Sequence, residues 1–535
     1  MTDEIRRIDA RQLKAQLHDG GEIAVLDARE EGVFERRHLL LASCVPLSRL
    51  ELLIDDLVPC RAARVVWCDD GDGTALRAAQ RMSALGYRDV AVLEGGIAAW
   101  QSAGYRLYSG VHVPSKAFAE VVEHEAGTPW IAAPDLQKLI DSGADIAIFD
   151  SRSYEEYHDN SIPGAISVPG AELVYRFTDL VPSPDTTVIV NCGGRTRSII
   201  GAQSLINAGF RNKIMSLKDG TMAWHLAGLG VVHGAARRPP EVSPAGLEAA
   251  RAAAARVAAR CEIPRIDLAT LAAWRAEAAR RSLYVLDVRT PEEYEAGHLS
   301  GARPAPGGQL VQETDSYIAT RGARIVLVDD NGVRATMTAS WLKQMGWQQV
   351  AVLAVDPAGT DRVAGPHRPR VLGLDGLSVP GIEATALRDR LTAGTALVVD
   401  LATSRNYVRG HIPGAWFAIR SRLAEAQKRL PKAEAIVLTS PDGALARLAA
   451  AELAETAAAP VMALSGGTEA WRAAGFPLES GATHMAGEAD DVVLSARERN
   501  RDREQAMRDY LAWEINLVNE MATDDDQRFR VVAGP

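Results

Sequence analysis

The chain has 535 residues, too many for one hydrophobic core, and this length suggests about three to five domains of roughly 100–200 residues each. Its net charge of −10 implies no basic face and argues against a nucleic-acid partner. No run approaches the ~18 uninterrupted apolar residues that a membrane span needs, and the first residues contain no apolar signal core. We therefore expect a cytoplasmic protein with no membrane partner.

The five cysteines are scattered along the chain and form no Cys-x-x-Cys pair and no Cys/His cluster. This pattern fits neither a disulfide framework nor a zinc site, and a reducing compartment is its simplest explanation. The sequence therefore predicts no resident metal ion and no bound cofactor.

A four-fold repeat organises most of the chain. Each copy contains a β-branched or leucine-rich run that ends in aspartate, at Asp27, Asp150, Asp287 and Asp400. In the first three copies an arginine follows two positions later, and we interpret the pair as an internal ion pair that fixes the fold. The spacing between copies is that of a domain rather than the ~20–50-residue period of a solenoid.

Further motifs recur in the same order within each copy. A turn close to Gly-His-Ile-Pro-Gly-Ala precedes a second apolar strand, a helix-compatible stretch, a short strand and a Gly-rich turn that leads to a tryptophan. Copy one has a degenerate form of the first turn, and copy three has lost the last element. Short apolar strands that alternate with helices indicate a parallel sheet covered on both faces, so the predicted fold class is α/β.

Cys192 opens the loop Cys-Gly-Gly-Arg-Thr-Arg-Ser, which follows an apolar strand at 188–191 and precedes a helix from about Ile199. The backbone N–H groups of such a turn and the helix dipole favour an anion, and therefore a thiolate over a thiol. Arg195 and Arg197 add positive charge with the same effect. We therefore predict that Cys192 is a nucleophile.

The other three copies carry no thiol at this position. Alignment of the loops without gaps places Asp69, Asp329 and Ser440 where copy two has Cys192. A carboxylate is a fixed negative charge in an anion-binding loop, and a serine hydroxyl lacks the nucleophilicity of a thiolate. Copy two is therefore predicted to be catalytic and the others silent. Cys68 lies one position earlier, where we favour a packing role over a second, sulfur-relaying thiol.

Taken together, the Asp-x-Arg strand, the Gly-His-Ile-Pro-Gly-Ala turn, the six-residue loop from Cys192 and the Gly-Gly-x-x-x-Trp close resemble the rhodanese (thiosulfate sulfurtransferase) superfamily. The resemblance covers nearly all of residues 1–485. It implies four tandem rhodanese-like domains, each a parallel β-sheet flanked by helices. An inactive domain with aspartate at the cysteine position, beside an active one, is a familiar arrangement in that family, and copies one and three resemble it.

The domain boundaries follow from the repeats and from changes in composition. The predicted units are 1–109 (domain one), 110–235 (catalytic domain two), 236–262 (an Ala/Arg/Pro-rich linker with a helix), 263–368 (domain three), 369–486 (domain four) and 487–535 (a charged helical tail). Ser243 and Pro244 predict the start of the linker helix, and Pro114 that of a connector helix near 115–125. The tail helix, expected over about 494–522, should pack on the domains or on a second subunit.

The resemblance implies a sulfurtransferase that works through a covalent persulfide. The thiolate of Cys192 attacks the sulfane sulfur of a donor such as thiosulfate, and the persulfide then passes that sulfur to cyanide or a thiol. The loop residues are expected to bind the donor and to stabilise the persulfide anion through their backbone N–H groups. They are Gly193, Gly194, Arg195, Thr196, Arg197 and Ser198, with Arg176 and Lys218 as additional candidates.

Several alternatives stay open at this point. The family's mercaptopyruvate enzymes tend to have a more neutral loop, so the two arginines favour thiosulfate over 3-mercaptopyruvate. A non-catalytic persulfide carrier or scaffold is a further alternative, as are a thioredoxin-like acceptor protein and a homodimer. A phosphatase or arsenate reductase is the least favoured, because those enzymes place five residues between cysteine and arginine. Here four residues separate Cys192 from Arg197, and a shorter ring suits a smaller group.

Overall fold

The computed structural model describes residues 4–355, 359, 361–499, 502–532 and 534. They form four α/β domains in chain order, followed by a tail that contains a long helix. The β-branched runs of the sequence become strands that are buried almost throughout, because helices cover both faces of each parallel sheet. The predicted fold class is confirmed.

Domain one contains five strands and five helices. They are β1 (Arg6–Ile8), α1 (Ala10–Leu17), β2 (Ile23–Asp27), α2 (Glu31–Phe34), β3 (Ala42–Cys44), α3 (Leu50–Leu57), β4 (Arg64–Cys68), α4 (Thr74–Ala84), β5 (Asp89–Leu93) and α5 (Gly96–Ser102). The sheet order is β1-β5-β4-β2, with β3 also paired to β2. All of these pairs are parallel, as the alternation of strands and helices predicts.

Domain two repeats the pattern after a connector helix. Its elements are α6 (Val113–Ala126), β6 (Trp130–Ile131), α7 (Ala133–Asp141), β7 (Ile146–Asp150), α8 (Tyr154–Asp159), β8 (Ile166–Ser167), α9 (Glu172–Leu180), β9 (Thr187–Asn191), α10 (Thr196–Asn207), β10 (Ile214–Leu217) and α11 (Gly220–Leu226). The sheet order is β6-β10-β9-β7-β8, which puts β9 in the middle. Cys192 therefore follows the central strand, at the edge where open α/β sheets usually carry their sites.

The predicted linker helix precedes domain three, and its first turn is capped by the hydroxyl of Ser243, which accepts a hydrogen bond from the N–H of Gly246. The elements of the linker and of domain three are α12 (Pro244–Cys261), α13 (Leu268–Ala276), β11 (Leu283–Asp287), α14 (Pro291–Ala296), β12 (His298–Leu299), β13 (Arg303–Pro304), α15 (Gly307–Gln312), β14 (Thr320–Arg321), β15 (Arg324–Asp329), α16 (Val333–Gln344), β16 (Val350–Ala354) and β17 (Arg362–Val363). Strands β13, β11, β15 and β16 form the sheet of domain three, while β12 and β17 pair separately.

Domain four closes the series. Its elements are β18 (Gly381–Ile382), α17 (Ala384–Thr392), β19 (Ala396–Asp400), α18 (Ser404–Arg409), β20 (Trp416–Phe417), α19 (Leu423–Ala426), β21 (Ala435–Thr439), α20 (Ala444–Ala454), β22 (Val461–Leu464) and α21 (Gly467–Ala473). The described residues of the domains also contain 3-10 turns at Leu47–Arg49, Thr314–Ser316 and Arg420–Arg422.

The domains are packed against one another through a shared sheet and buried ion pairs. Strand β14 of domain three pairs antiparallel with β2 and extends the sheet of domain one. Arg334 of domain three is fully buried and forms an ion pair with Glu172 of domain two. Arg420 of domain four forms a buried ion pair with Glu51 of domain one. Buried pairs of this kind fix the register of the packed units, because separating them leaves a buried charge without its partner.

The tail helix α22 (Arg503–Met521) is shorter than predicted at its start. Residues 494–499 are not helical, so the predicted beginning near 494 was wrong. The helix packs against α6 and buries Met507, Leu511 and Leu517. Among the described residues no helix combines the length and the apolar character required to cross a bilayer. All five cysteines are free thiols, as their spacing predicts.

Candidate active site

Cys192 lies at the carboxyl end of β9 and is only 2% exposed. Its thiol donates a hydrogen bond to the hydroxyl of Ser198, at a sulfur–oxygen distance of 3.4 Å. The backbone N–H of Ser198 also bonds to the sulfur, and it belongs to the first turn of α10. The sulfur thus faces the amino terminus of a helix, where an anion is favoured.

Burial raises the pKa of the Cys192 thiol above its ordinary value. The charge of Arg197 and the two contacts from Ser198 oppose the rise without cancelling it. The loop and Arg197 therefore favour the thiolate, as the sequence predicts, but burial opposes them more strongly. The free energy needed to remove water from a thiolate exceeds the stabilisation that one nearby cation and a helix terminus provide.

The same backbone N–H group recurs in all four domains, always six residues after the position of Cys192. In the other domains it donates to a side-chain oxygen. The acceptor and donor pairs are Asp69 with Ala75 (2.8 Å), Asp329 with Ala335 (3.0 Å) and Ser440 with Ala446 (3.2 Å). The four loops are therefore equivalent in space, and only domain two presents a sulfur to the helix.

The Gly-rich turn at Gly220 packs against the backbone of the Cys192 loop. Gly220 has a φ of +55°, and a Cβ atom there would lie 2.4 Å from the carbonyl oxygen of Cys192. The next residue, Thr221, donates its N–H to that carbonyl at 2.9 Å. In domain three, which lacks the turn, Val355 donates instead to the carbonyl of Asp329 at 2.8 Å. The glycine is therefore required by the close approach of two backbones.

Arg195 is 4% exposed and turns away from the donor position that the sequence predicts for it. Its guanidinium binds Glu120 through two hydrogen bonds of 2.7 and 2.8 Å, and Asp219 at 2.7 Å. It also forms an ion pair with Glu123. Three carboxylates therefore neutralise its charge, and the structure assigns Arg195 to anchoring the loop on α6 rather than to binding a sulfonate.

Arg197 remains close to the sulfur, and its charge opposes the rise in the pKa of Cys192. It is also paired, however, with hydrogen bonds of 2.5 and 2.8 Å to Glu156 and one of 2.8 Å to Gln309 of domain three. Burial alone would raise the pKa of Glu156, but Arg197 overrides it and holds that pKa at about 2. The site therefore contains an ionised carboxylate as the partner of Arg197.

The additional candidates lie apart from the sulfur. Arg176 donates to Glu172 at 2.6 Å and to the carbonyl of Pro240 at 2.9 Å. Lys218 stacks over the ring of Trp130, with its ammonium 4.3 Å from the centroid. Neither side chain makes a hydrogen bond to residues 192–198 in the part of the chain that the structure describes.

The Asp-x-Arg pairs have the internal role that the sequence suggests. Arg152 binds Asp150 through two hydrogen bonds of 2.9 and 2.7 Å, and both side chains are fully buried. Cys68 is also buried, next to Leu26 and Asp27, and burial raises the pKa of its thiol far above the ordinary value. This environment supports a packing role for Cys68.

The tail contributes three side chains that the repeat analysis missed. Thr196 donates its hydroxyl hydrogen to Glu514 at 2.6 Å, and Tyr510 lies beside it against Gly194. Arg497 donates to the carbonyl of Gly193 at 3.4 Å. One signal was present in the sequence, because Glu514 interrupts the apolar stripe of α22, three positions after Leu511.

A comparison with known proteins finds one family match in each of the four repeats. The family model described as "Rhodanese-like domain" matches residues 9–103, 132–227, 269–355 and 383–474, which together exceed half of the chain. The crystal structure of thiosulfate sulfurtransferase from Pseudomonas aeruginosa is 47% identical. The superposition covers 99% of this chain and 100% of the Pseudomonas aeruginosa chain, with a TM-score of 0.94.

Curated relatives match single stretches. Thiosulfate:glutathione sulfurtransferase of Homo sapiens is 44% identical over 48 residues, which are 9% of this chain and 41% of that protein. HTH-type transcriptional regulator Rv0324 of Mycobacterium tuberculosis is 34% identical over 105 residues, 20% of this chain and 45% of that protein. The chain spans about half the length of the curated relatives it matches. With four matched domains and a full-length structural relative, the chain belongs to the rhodanese superfamily, as a tandem protein of four rhodanese-like domains.

Proposed function

We propose that the chain is a sulfurtransferase that accepts a sulfane sulfur from thiosulfate, or a similar anionic donor, as a persulfide on Cys192. Cyanide or a thiol then removes the sulfur. One observation carries this proposal. The helix N–H that donates to a side-chain oxygen in the other three domains donates to the sulfur of Cys192 in domain two. The names of the Pseudomonas aeruginosa and human relatives support the same chemistry.

The first step begins with loss of the Cys192 proton, since only the thiolate is nucleophilic. The thiolate attacks the outer sulfur of thiosulfate and forms a new sulfur–sulfur bond. The bond between the two donor sulfurs breaks, and sulfite leaves with the electron pair. The product is Cys192–S–S⁻, whose terminal anion receives hydrogen bonds from the loop backbone.

The second step restores the resting enzyme. Cyanide attacks the terminal sulfur, thiocyanate departs, and the electrons of the persulfide bond return to Cys192 as a thiolate. A thiol acceptor works in the same way and leaves as its own persulfide. Because the two half-reactions share only the persulfide, the kinetics should be ping-pong.

Mass spectrometry tests this proposal directly. The reduced protein is mixed with thiosulfate or, in parallel, with 3-mercaptopyruvate, and the peptide that contains Cys192 is weighed. A gain of one sulfur, absent from Cys192→Ser, is the expected result, and the faster donor identifies the substrate class. No gain from either donor would contradict the proposal and favour a scaffold or an oxyanion hydrolase.

Turnover separates an enzyme from a carrier. With excess thiosulfate and cyanide, a sulfurtransferase releases many equivalents of thiocyanate per Cys192. A carrier whose acceptor is another protein loads once and then stops. We expect multiple turnovers.

A further inference from the structure

Arg497 lies outside all four domains, among the non-helical residues 494–499, yet it contacts the loop of Cys192. Its guanidinium donates to the carbonyl of Gly193 at 3.4 Å and to the side-chain oxygen of Asn160 at 2.9 Å. A Cβ atom on Gly193 would lie 3.9 Å from this guanidinium. The tail therefore places a cation directly against the first residue after the nucleophile.

The charge of Arg497 is balanced differently from that of the other arginines around Cys192. Arg195 has three carboxylate partners, Arg197 has Glu156, and Arg152 has Asp150. Among the residues that the structure describes, Arg497 forms no ion pair with a carboxylate, and its two partners are neutral oxygens. Arg497 thus differs from the other three arginines in having no carboxylate in direct contact among the described residues.

The environment of Arg497 makes an additional anion favourable. Burial and the neighbouring charge of Arg152 lower the pKa of Arg497 to about 10, while the charges of Glu156, of Asp150 and of the ionised form of Cys192 act in the opposite direction. Asn160 contacts both guanidiniums, since its backbone carbonyl accepts from Arg152 and its side-chain oxygen accepts from Arg497. A guanidinium has five N–H donors, and the two contacts above leave donors for a further acceptor.

We propose that Arg497 binds the anionic end of the sulfur donor next to Cys192, so that the tail completes the donor site of domain two. This inference rests on the proposed sulfurtransferase function and assigns one of its specificity-determining residues. The sulfonate oxygens of thiosulfate are suitable acceptors for a guanidinium, because charge-assisted pairs between planar donors and oxyanions are strong. Arg195, which the loop sequence favours for this role, anchors the loop instead.

Binding of thiosulfate to a variant that cannot react tests the inference. In Cys192→Ser, thiosulfate binds without transfer, and isothermal titration calorimetry measures its affinity. Addition of Arg497→Gln should weaken this affinity by about tenfold or more, as loss of a charge-assisted contact predicts. Arg497→Lys should retain part of the affinity. Arg499→Gln, which removes an exposed charge two residues away, is the matched control and should change little.

A kinetic comparison adds a readout that a merely structural role would not produce. In the otherwise wild-type protein, Arg497→Gln should raise the KM for thiosulfate by about tenfold or more. Discharge of a preloaded Cys192 persulfide by cyanide should be affected much less than the KM for thiosulfate, because that step contains no sulfonate. Equal thiosulfate affinities with and without Arg497 would overturn the inference, as would equal losses in both half-reactions.

The two proposals fail in distinguishable ways. If the wild-type protein gains no sulfur from thiosulfate, the sulfurtransferase function itself is wrong. If the wild-type protein gains sulfur and Arg497→Gln binds thiosulfate equally well, only the role of Arg497 is wrong. Should Arg497→Gln fail to fold, Arg497→Lys decides. Its point charge should preserve binding that weakens with added salt, and salt-independent binding would overturn the inference.

Discussion

Thr196 and Glu514 form a 2.6 Å hydrogen bond across 318 positions of sequence. The first residue of α10, in the loop of Cys192, is thereby tied to the middle of the tail helix. The Glu514 carboxylate is buried, and burial raises its pKa, while Lys116 of the connector helix acts against the rise. The electrostatic environment of Cys192 therefore depends on a segment outside domain two.

Replacement of Glu514 by glutamine should make Cys192 more reactive. Burial is the main cause of the raised pKa of Cys192, and the negative charge of Glu514 contributes to the rise. The amide oxygen of glutamine keeps the hydrogen bond from Thr196 but removes that charge. We expect the pKa of Cys192 to fall, and alkylation by iodoacetamide at a fixed pH to accelerate. An unchanged rate would show that Glu514 does not act on the thiol.

Glu504→Gln provides the control for this comparison. Glu504 is exposed on the same helix, where it pairs with Arg508. Its replacement removes the same charge far from the loop. We expect the alkylation rate to remain that of the wild-type protein.

The rate of sulfur loading should rise with pH across the neutral range. The pKa of Cys192 is raised, so the protonated, unreactive thiol predominates below that pKa. Each pH unit then increases the thiolate fraction about tenfold until the pKa is reached. Stopped-flow measurement of persulfide formation from thiosulfate between pH 6 and 10 would check this. A rate independent of pH below neutrality would indicate a thiol that is already ionised.

Arg195→Met should destabilise the protein more than most single substitutions. It leaves Glu120, Glu123 and Asp219 without the cation that they share. Loss of one partner from a buried ion-pair network typically costs about 3–5 kcal/mol. Urea unfolding monitored by tryptophan fluorescence would measure the change. Arg11→Met, at an exposed position, should stay within about 0.5 kcal/mol of the wild-type protein.

Asp400→Asn should stabilise the protein at neutral pH. Domain four has Ala402 where the other domains have an arginine, so the Asp400 carboxyl is buried without a cation. Burial raises the pKa of Asp400 to about 6. The neutral form of Asp400 is the one that the folded protein tolerates. The protein therefore keeps its full stability below the unfolded pKa near 4 and loses stability as the pH rises through about 6.

The expected gain follows from that shift. About two pKa units correspond to roughly 2–3 kcal/mol in favour of the asparagine variant above pH 6.5. Below pH 4 both proteins carry a neutral side chain at this position and should unfold alike. Thermal unfolding at pH 4 and at pH 7.5 would reveal the difference. Equal stabilities at both pH values would contradict the assignment of an uncompensated carboxyl.

The sequence predicts the domains and the loop well, because both depend on local patterns. Alternating apolar strands and helices determine the parallel sheets, and the ungapped loops place Asp69, Asp329 and Ser440 at the position of Cys192. The second residue of the Gly-rich turn, Gly220, is likewise visible in the sequence. A glycine is required there because two backbone segments of the same domain approach each other closely.

The side chains around the loop are harder to predict because their partners are distant in sequence. The direction of Arg195 depends on Glu120 of the connector helix, and that of Arg197 on Gln309 of domain three. Arg497 and Glu514 belong to no repeat, so a comparison of the four copies gives no reason to place them at the site. Charge in a loop sequence thus overstates the charge that the folded loop presents.

The carboxylates of Asp69 and Asp329 each accept two backbone N–H groups at the start of a helix, at distances between 2.6 and 3.0 Å. Domains one and three thus carry a permanent internal ligand, attached to the chain and always bound. Domain two has a thiol of raised pKa in that place, and under the proposed function it acquires a comparable anion when Cys192 carries a persulfide. Domains one and three are thereby independent of solute for their loop structure, whereas under the proposed function the loop of domain two differs between the loaded and the unloaded protein.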